Sequence, residues 1–125
     1  TMRVPILKQG SYLIASIQDA LTDTDLLQLQ AELVNRVGAV RTRGVIIDVT
    51  ALDVLDSFAS RTLRDLAQVI RLRGAETIIV GIQPEVAFTI VQLGLSLEGV
   101  TTALDLEEGL ALLDQRTKGD LRRGR

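Results

Sequence analysis

The chain has 125 residues and a formal net charge of -2 from 14 basic and 16 acidic side chains, with neither cysteine nor histidine. That length fits one domain burying roughly two-thirds of its unfolded surface. The missing residue types exclude disulfides, thiol nucleophiles, thiolate metal sites, histidine bases and the Ser-His-Asp and Cys-His catalytic sets.

An aromatic content of 2% means an aliphatic core and no stacking platform for bases, and the weak acidity offers no field for a phosphate backbone. Nucleic acid is therefore not an expected partner. No run approaches the ~20 apolar residues that cross a bilayer, and the start lacks a basic segment followed by an apolar one. The expectation is a soluble cytoplasmic protein.

Thr1 stands ahead of Met2, where an initiator would come first, and is set outside the expected fold. Residues 4–8 and 12–17 are short apolar runs around Gln9, Gly10 and Ser11, which predicts a hairpin, with Pro5 placing the first run at a sheet edge. Residues 22–25 then offer several N-cap oxygens, and Leu26, Leu29, Leu33 and Val37 fall on one face of a helix.

Residues 45–49, after Gly44, form a β-branched run suited to a strand covered on both faces. An acidic loop follows, with Asp53 and Asp56, and then Leu63, Leu66, Ala67 and Ile70 recur at helical spacing as far as Gly74. Asp56 and Ser57 stand where that helix begins, and Gly74, after Arg71 and Arg73, has the chemistry of a C-terminal cap. This strand, loop and helix organise the chain.

Residues 77–82 repeat the pattern of the central strand. Gln83, Pro84 and Glu85 start a further helix, with Val86, Ile90 and Leu93 predicted on its inner face before Gly94. After a connector over 95–99, residues 101–104 read as a brief edge strand. Asp105 can cap a last helix with Leu106, Leu110 and Leu113 on one face. Glu107 and Glu108 lie near its positive end, Arg116 and Lys118 near its negative end.

Residues 118–125 read as a disordered basic tail, leaving a single domain over residues 2–117. The alternation predicts an α/β fold: a mostly parallel five-stranded sheet with one edge strand and four main helices packed against it.

In such sheets the working surface lies at the carboxyl ends of the strands. Ser57 belongs there, beside unpaired amides and the positive dipole end of its helix, a place that favours a phosphate. A plain cap is the competing reading of both Asp56 and Ser57. Asp23 and Thr24, at the start of the first helix, fall at the same edge and are candidates for a shared partner surface.

The stretch IDVTALDVLDSFASRTLRDL resembles the phosphorylatable loop of the STAS domain family, the anti-sigma-factor antagonist fold. PILKQGSYLIASIQ, GIQPEVAFTIVQLG and TALDLEEGLALL support the likeness, which spans nearly all of residues 4–114. General antagonists of the family carry Asp-Ser-Ser-Gly or Asp-Ser-Thr-Gly here. Asp56, Ser57, Phe58 and Ala59 depart from that pattern and are similar to the RsbS branch of stressosome scaffold proteins.

The resemblance implies a STAS (SpoIIAA-like) fold and a non-catalytic phospho-switch. Unmodified Ser57 would hold an RsbT-like serine/threonine kinase and phosphorylated Ser57 would release it. RsbR-like STAS paralogues would be partners in a large assembly, and a PP2C-type phosphatase would reset the switch. Ser60, one turn on, is the competing acceptor. Asp53 and Asp56 are expected at the kinase surface, and Phe58 is either an anchor for the partner or a core residue.

Arg61 and Arg64 read as solvated charges. No cofactor or metal is expected. Alternatives are a general anti-sigma-factor antagonist or other STAS module binding a switch kinase, a STAS module of a membrane transporter, and a magnesium-dependent phosphoryl-transfer enzyme using Asp48, Asp53 and Asp56. The last lacks a glycine-rich phosphate loop and a nearby lysine.

Overall fold

A computed structural model describes residues 4–39, 41–95, 97 and 99–123, with side chains described as far as Thr117. Thr1 and the last two residues of the expected tail lie outside the described residues. Five strands, β1 (Ile6–Gln9), β2 (Tyr12–Ser16), β3 (Gly44–Asp48), β4 (Glu76–Val80) and β5 (Thr101–Ala103), lie in the order β1-β2-β3-β4-β5. The first pair is antiparallel and the others are parallel, so the predicted α/β fold is the one observed.

The hairpin turns through Gly10 at φ +59, a conformation that a residue without Cβ adopts freely. Pro5, which has no amide hydrogen to donate, precedes the edge strand β1 and uses its carbonyl to accept from Ser16 N–H at 3.1 Å.

Strand alternation divides the sheet into two faces. Leu13, Ala15, Val45, Ile47 and Ile79 point to one, where α1 (Asp23–Ala39), α2 (Ser57–Leu72) and α3 (Pro84–Gln92) cover them. The stripes that meet there are Leu26, Leu29, Leu33 and Val37 from α1, and Leu63, Leu66 and Ile70 from α2. Fully burying one such aliphatic side chain contributes about 1.5–3 kcal/mol before entropy is set against it. Val86 and Ile90 of α3 extend this core.

Leu93, predicted on the same inner face, is instead 52% exposed. It is the C-cap residue, and the chain turns away through Gly94 at φ +67 before the next inward position is reached.

On the other face Ile14, Ile46, Ile78 and Val80 meet α4 (Leu106–Arg123) through Leu113, with Leu106 and Leu110 half-buried beside it. Contact is close enough that a Cβ on Gly44 would come within 2.7 Å of Leu113 Cδ2, and one on Gly109 within 2.7 Å of Val80 Cγ1. Glycine at these two positions lets helix and sheet approach.

Tyr12 donates its hydroxyl proton to Asp114 Oδ1 at 2.5 Å and lies 3.0 Å from Thr117 Oγ1. Burial first, and then the Asp114 hydrogen bond, push the phenol above its ordinary pKa.

The helix α4 continues to Arg123, so residues 118–123, expected as a disordered tail, extend it. No proline interrupts them, and Leu121, Arg122 and Arg123 are good helix formers. Among the described residues no helix is long and apolar enough to cross a membrane.

Candidate functional site

Helices α1, α2 and α3 each begin where a parallel strand ends, so their amino termini gather at the carboxyl edge of the sheet. At the centre of that edge, Asp56 is the N-cap of α2. Its backbone is extended (φ -77, ψ 179) and its Oδ1 accepts from Ala59 N–H at 2.8 Å. Ser57 is consequently the first helical residue, and it is half-buried.

Ala59 N–H is satisfied by the cap. The amides of Ser57 and Phe58 have no acceptor within the helix. A negative group added at Ser57 would meet both these donors and the positive end of a 16-residue helix.

Ser60 is placed differently from its neighbour. It is 1% exposed, and its Oγ is buried with no hydrogen-bond partner among the described residues. The reason is helical phase: Ser60 shares the inward stripe with Leu63, Ala67 and Ile70. The expectation that Ser60 shares the exposed helix start is therefore corrected, and no kinase can reach it in this conformation.

Asp53 and Asp56 are both exposed. Between them Val54 projects from the loop at 70% exposure, while Leu52 and Leu55 are buried under it. Phe58 is half-buried: it rests against the large core and keeps part of its surface open beside Ser57. Val54 is the exposed apolar group that sequence reasoning missed. It borders a shallow hollow of about 100 Å³, also lined by Ala20, Leu21, Leu55 and Ala59. The apolar letters Leu52, Val54 and Leu55 in an otherwise polar loop were the available signal.

At the neighbouring helix start the cap is Thr22, not Asp23 or Thr24. Thr22 Oγ1 accepts from Asp25 N–H and Asp25 Oδ2 accepts from Thr22 N–H, each at 3.1 Å, a reciprocal capping box. Asp23 and Thr24 are exposed and take no part in it, so they are available at the same edge as Ser57.

On the other side, Asp48 Oδ1 accepts from Thr50 N–H at 2.9 Å and from Thr50 Oγ1 at 2.6 Å, and Gln83 Nε2 donates to Thr50 O at 2.7 Å. These bonds tie the loop after β3 to the start of α3. Asp48 is engaged in that turn and, among the described residues, Asp48, Asp53 and Asp56 do not gather into a group able to hold a metal ion. Arg61 is exposed, and Arg64 lies 3.4 Å from Asp65.

Comparison with known proteins agrees with the fold. A model of the STAS domain matches residues 3–109. A serine-to-glutamate variant of RsbS from Moorella thermoacetica is 36% identical with a TM-score of 0.81, the match covering 94% of this chain and 99% of that one.

A chain in a structure of the molecular architecture of the stressosome, a signal integration and transduction hub, is 35% identical with a TM-score of 0.74, over 90% of this chain and 98% of that one. The RsbT co-antagonist protein RsbRA of Bacillus subtilis is 35% identical over 83 residues, which are 66% of this chain and 30% of that protein. The chain thus spans less than a third of the length of the curated relatives it matches.

Proposed function

The chain belongs to the STAS domain family, and we propose that it is a non-catalytic, phospho-regulated scaffold of a bacterial stress-signalling assembly. It captures an RsbT-like serine/threonine kinase on the carboxyl edge and releases it when Ser57 carries phosphate. The likeness to RsbS and to a stressosome chain supports the assembly, and relatives named as RsbT co-antagonists support the kinase. Longer RsbR-like paralogues are the co-assembling partners, a PP2C-type phosphatase resets the serine, and the compartment is the cytoplasm.

The observation that carries this reading is the placement of Ser57 at the first position of α2, on the edge that also presents Asp53, Val54, Asp56, Asp23 and Thr24. Phosphate adds ~1.5 to 2 negative charges there. Within the domain the helix terminus stabilises an exposed anion by about 0.3–1 kcal/mol, which partly offsets repulsion from Asp53 and Asp56. At an interface, like charges brought together cost several kcal/mol, on the order of a hundredfold in affinity. Modification therefore changes binding far more than folding.

The first test is the acceptor itself. The protein is incubated with an RsbT-like kinase and ATP, and the product is mapped by mass spectrometry. Phosphate is expected on the Ser57 peptide of wild type and of Ser60→Ala, and none on Ser57→Ala. Full incorporation into Ser57→Ala would place the switch elsewhere.

A further inference from the structure

The carboxyl ends of α1 and α2 close in the same way at the amino edge of the sheet, with one difference. In α2 the amide of Ala75 donates to Ile70 O at 3.1 Å, and Gly74 takes the left-handed turn before it at φ +92. In α1 the amide of Thr42 donates to Val37 O at 3.3 Å, and the left-handed position is held by Arg41 at φ +49. This closing motif favours glycine, because a Cβ crowds the backbone there. Among the described residues Arg41 is the one non-glycine residue with a positive φ. An arginine is thus kept where glycine would fit with less strain, which points to a demand other than stability.

Arg41 lines a groove of about 570 Å³ together with Thr42, Arg43, Arg71 and Glu76. Three guanidinium groups, those of Arg41, Arg43 and Arg71, there face the one carboxylate of Glu76, an excess of two positive charges. Arg71, Arg73 and Arg116 have partners in the fold. The Arg73 guanidinium lies against Gly38, in the space that a Cβ there would occupy, near the negative end of α1. Arg71 and Arg116 share Glu76 at 3.7 Å and 3.9 Å. Arg41 and Arg43 have no ion pair among the described residues. Asp114 belongs to the adjoining hollow and accepts from the Tyr12 hydroxyl.

We infer that this groove binds a small phosphate anion of two or more negative charges, with inorganic pyrophosphate as its probe. Guanidinium forks pair with phosphate oxygens two at a time, and a dianion balances Arg41 and Arg43. Recognition is of the phosphate oxygens alone. The amides of Thr42, Arg43 and Glu76 already donate to Val37 O, Ser11 O and Arg43 O, which leaves the guanidinium groups as donors. Among the described residues no aromatic side chain lines the groove, so a base would find no stacking partner there. The site lies at the opposite end of α2 from Ser57, and the inference stands whether or not Ser57 is a phosphoacceptor.

Titration calorimetry of the whole chain with sodium pyrophosphate tests this, in magnesium-free buffer at neutral pH and about 20 mM salt, where screening is weak. Wild type is expected to bind with a Kd below about 1 mM. Arg41→Gly and Arg43→Gln are each expected to lose at least about tenfold, the scale of one charge-assisted hydrogen bond. Glu76→Gln removes the competing carboxylate and is expected to bind about threefold tighter. Asp53→Asn, the same change of net charge at the opposite edge, is expected to bind as wild type does.

Arg41→Gly also separates a binding role from a structural one. It is expected to melt at or above the wild-type temperature, because glycine relieves the left-handed turn, while losing the anion. Arg41→Gly that melts lower than wild type would show that Arg41 is kept for stability, and overturns the inference. Wild type that gives no binding heat, variants that bind like wild type, or Asp53→Asn that tightens binding as much as Glu76→Gln overturn it as well. Adenosine diphosphate binding more tightly than pyrophosphate would show that the nucleoside is read, against recognition of phosphate oxygens alone.

Discussion

The two edges of the sheet are built from the same elements and carry opposite chemistry. At the carboxyl edge the helices begin, their amides are capped by Thr22, Asp25 and Asp56, and the surface is acidic around Ser57. At the amino edge the helices end, and Arg41, Arg43 and Arg71 line one groove with Glu76. Helix dipoles explain the sorting of sign. They do not explain why one edge holds a hydroxyl among carboxylates and an exposed valine, or why, among the described residues, Arg41 and Arg43 at the other have no ion pair.

If the carboxyl edge is a binding surface held up by a separately stabilised core, the largest perturbation should leave binding intact. Leu113→Ala removes a fully buried side chain from between α4 and the sheet and is expected to cost about 2–5 kcal/mol in chemical denaturation. Kinase capture per folded molecule should stay within twofold of wild type. A loss of capture larger than the loss of folded protein would show that the two regions are coupled.

A smaller effect is expected at the edge itself. Asp56→Ala deletes the cap on Ala59 N–H and should cost about 1 kcal/mol. Asp56→Asn retains an oxygen acceptor and should recover most of that stability, while leaving the surface one charge less acidic. Equal melting temperatures for Asp56→Ala and wild type would mean that the cap contributes nothing.

The smallest effect is read at the other end of the molecule. Tyr12 is the one tyrosine and there is no tryptophan, so its phenolate absorbance can be followed alone. Because the fold favours the protonated phenol, its midpoint should lie above the ordinary value of about 10. The associated stability is fully present below that ordinary value and is lost as pH rises through the raised one. Asp114→Asn should bring the midpoint back toward the ordinary value, and an unchanged midpoint would remove Asp114 from the cause.

Much of this architecture was legible because local signals agreed. Gly44, Gly74 and Gly94 bound their elements, Pro84 opens α3, and the β-branched runs of β3 and β4 required cover on both faces. Ser57 was readable as the first helical residue from Asp56 and the periodicity after it.

What escaped depends on three-dimensional placement. Ser60 was misplaced because its inward phase emerges only when α2 is seated on the sheet, although its spacing to Leu63 hinted at it. Leu93 failed because the helix stops one residue short of it. The exposure of Val54 depends on how Leu52 and Leu55 tuck beneath the loop. The arginine groove is drawn from distant segments that only the strand order unites.

The direct test of the switch is the affinity of an RsbT-like kinase for wild type and Ser57→Asp, measured by calorimetry beside the melting curve of each protein. A negative charge at the first position of α2 should weaken capture by on the order of a hundredfold while moving the melting temperature by no more than about 2–4 °C. Equal affinities for the two proteins, both folded, would contradict release by charge at Ser57.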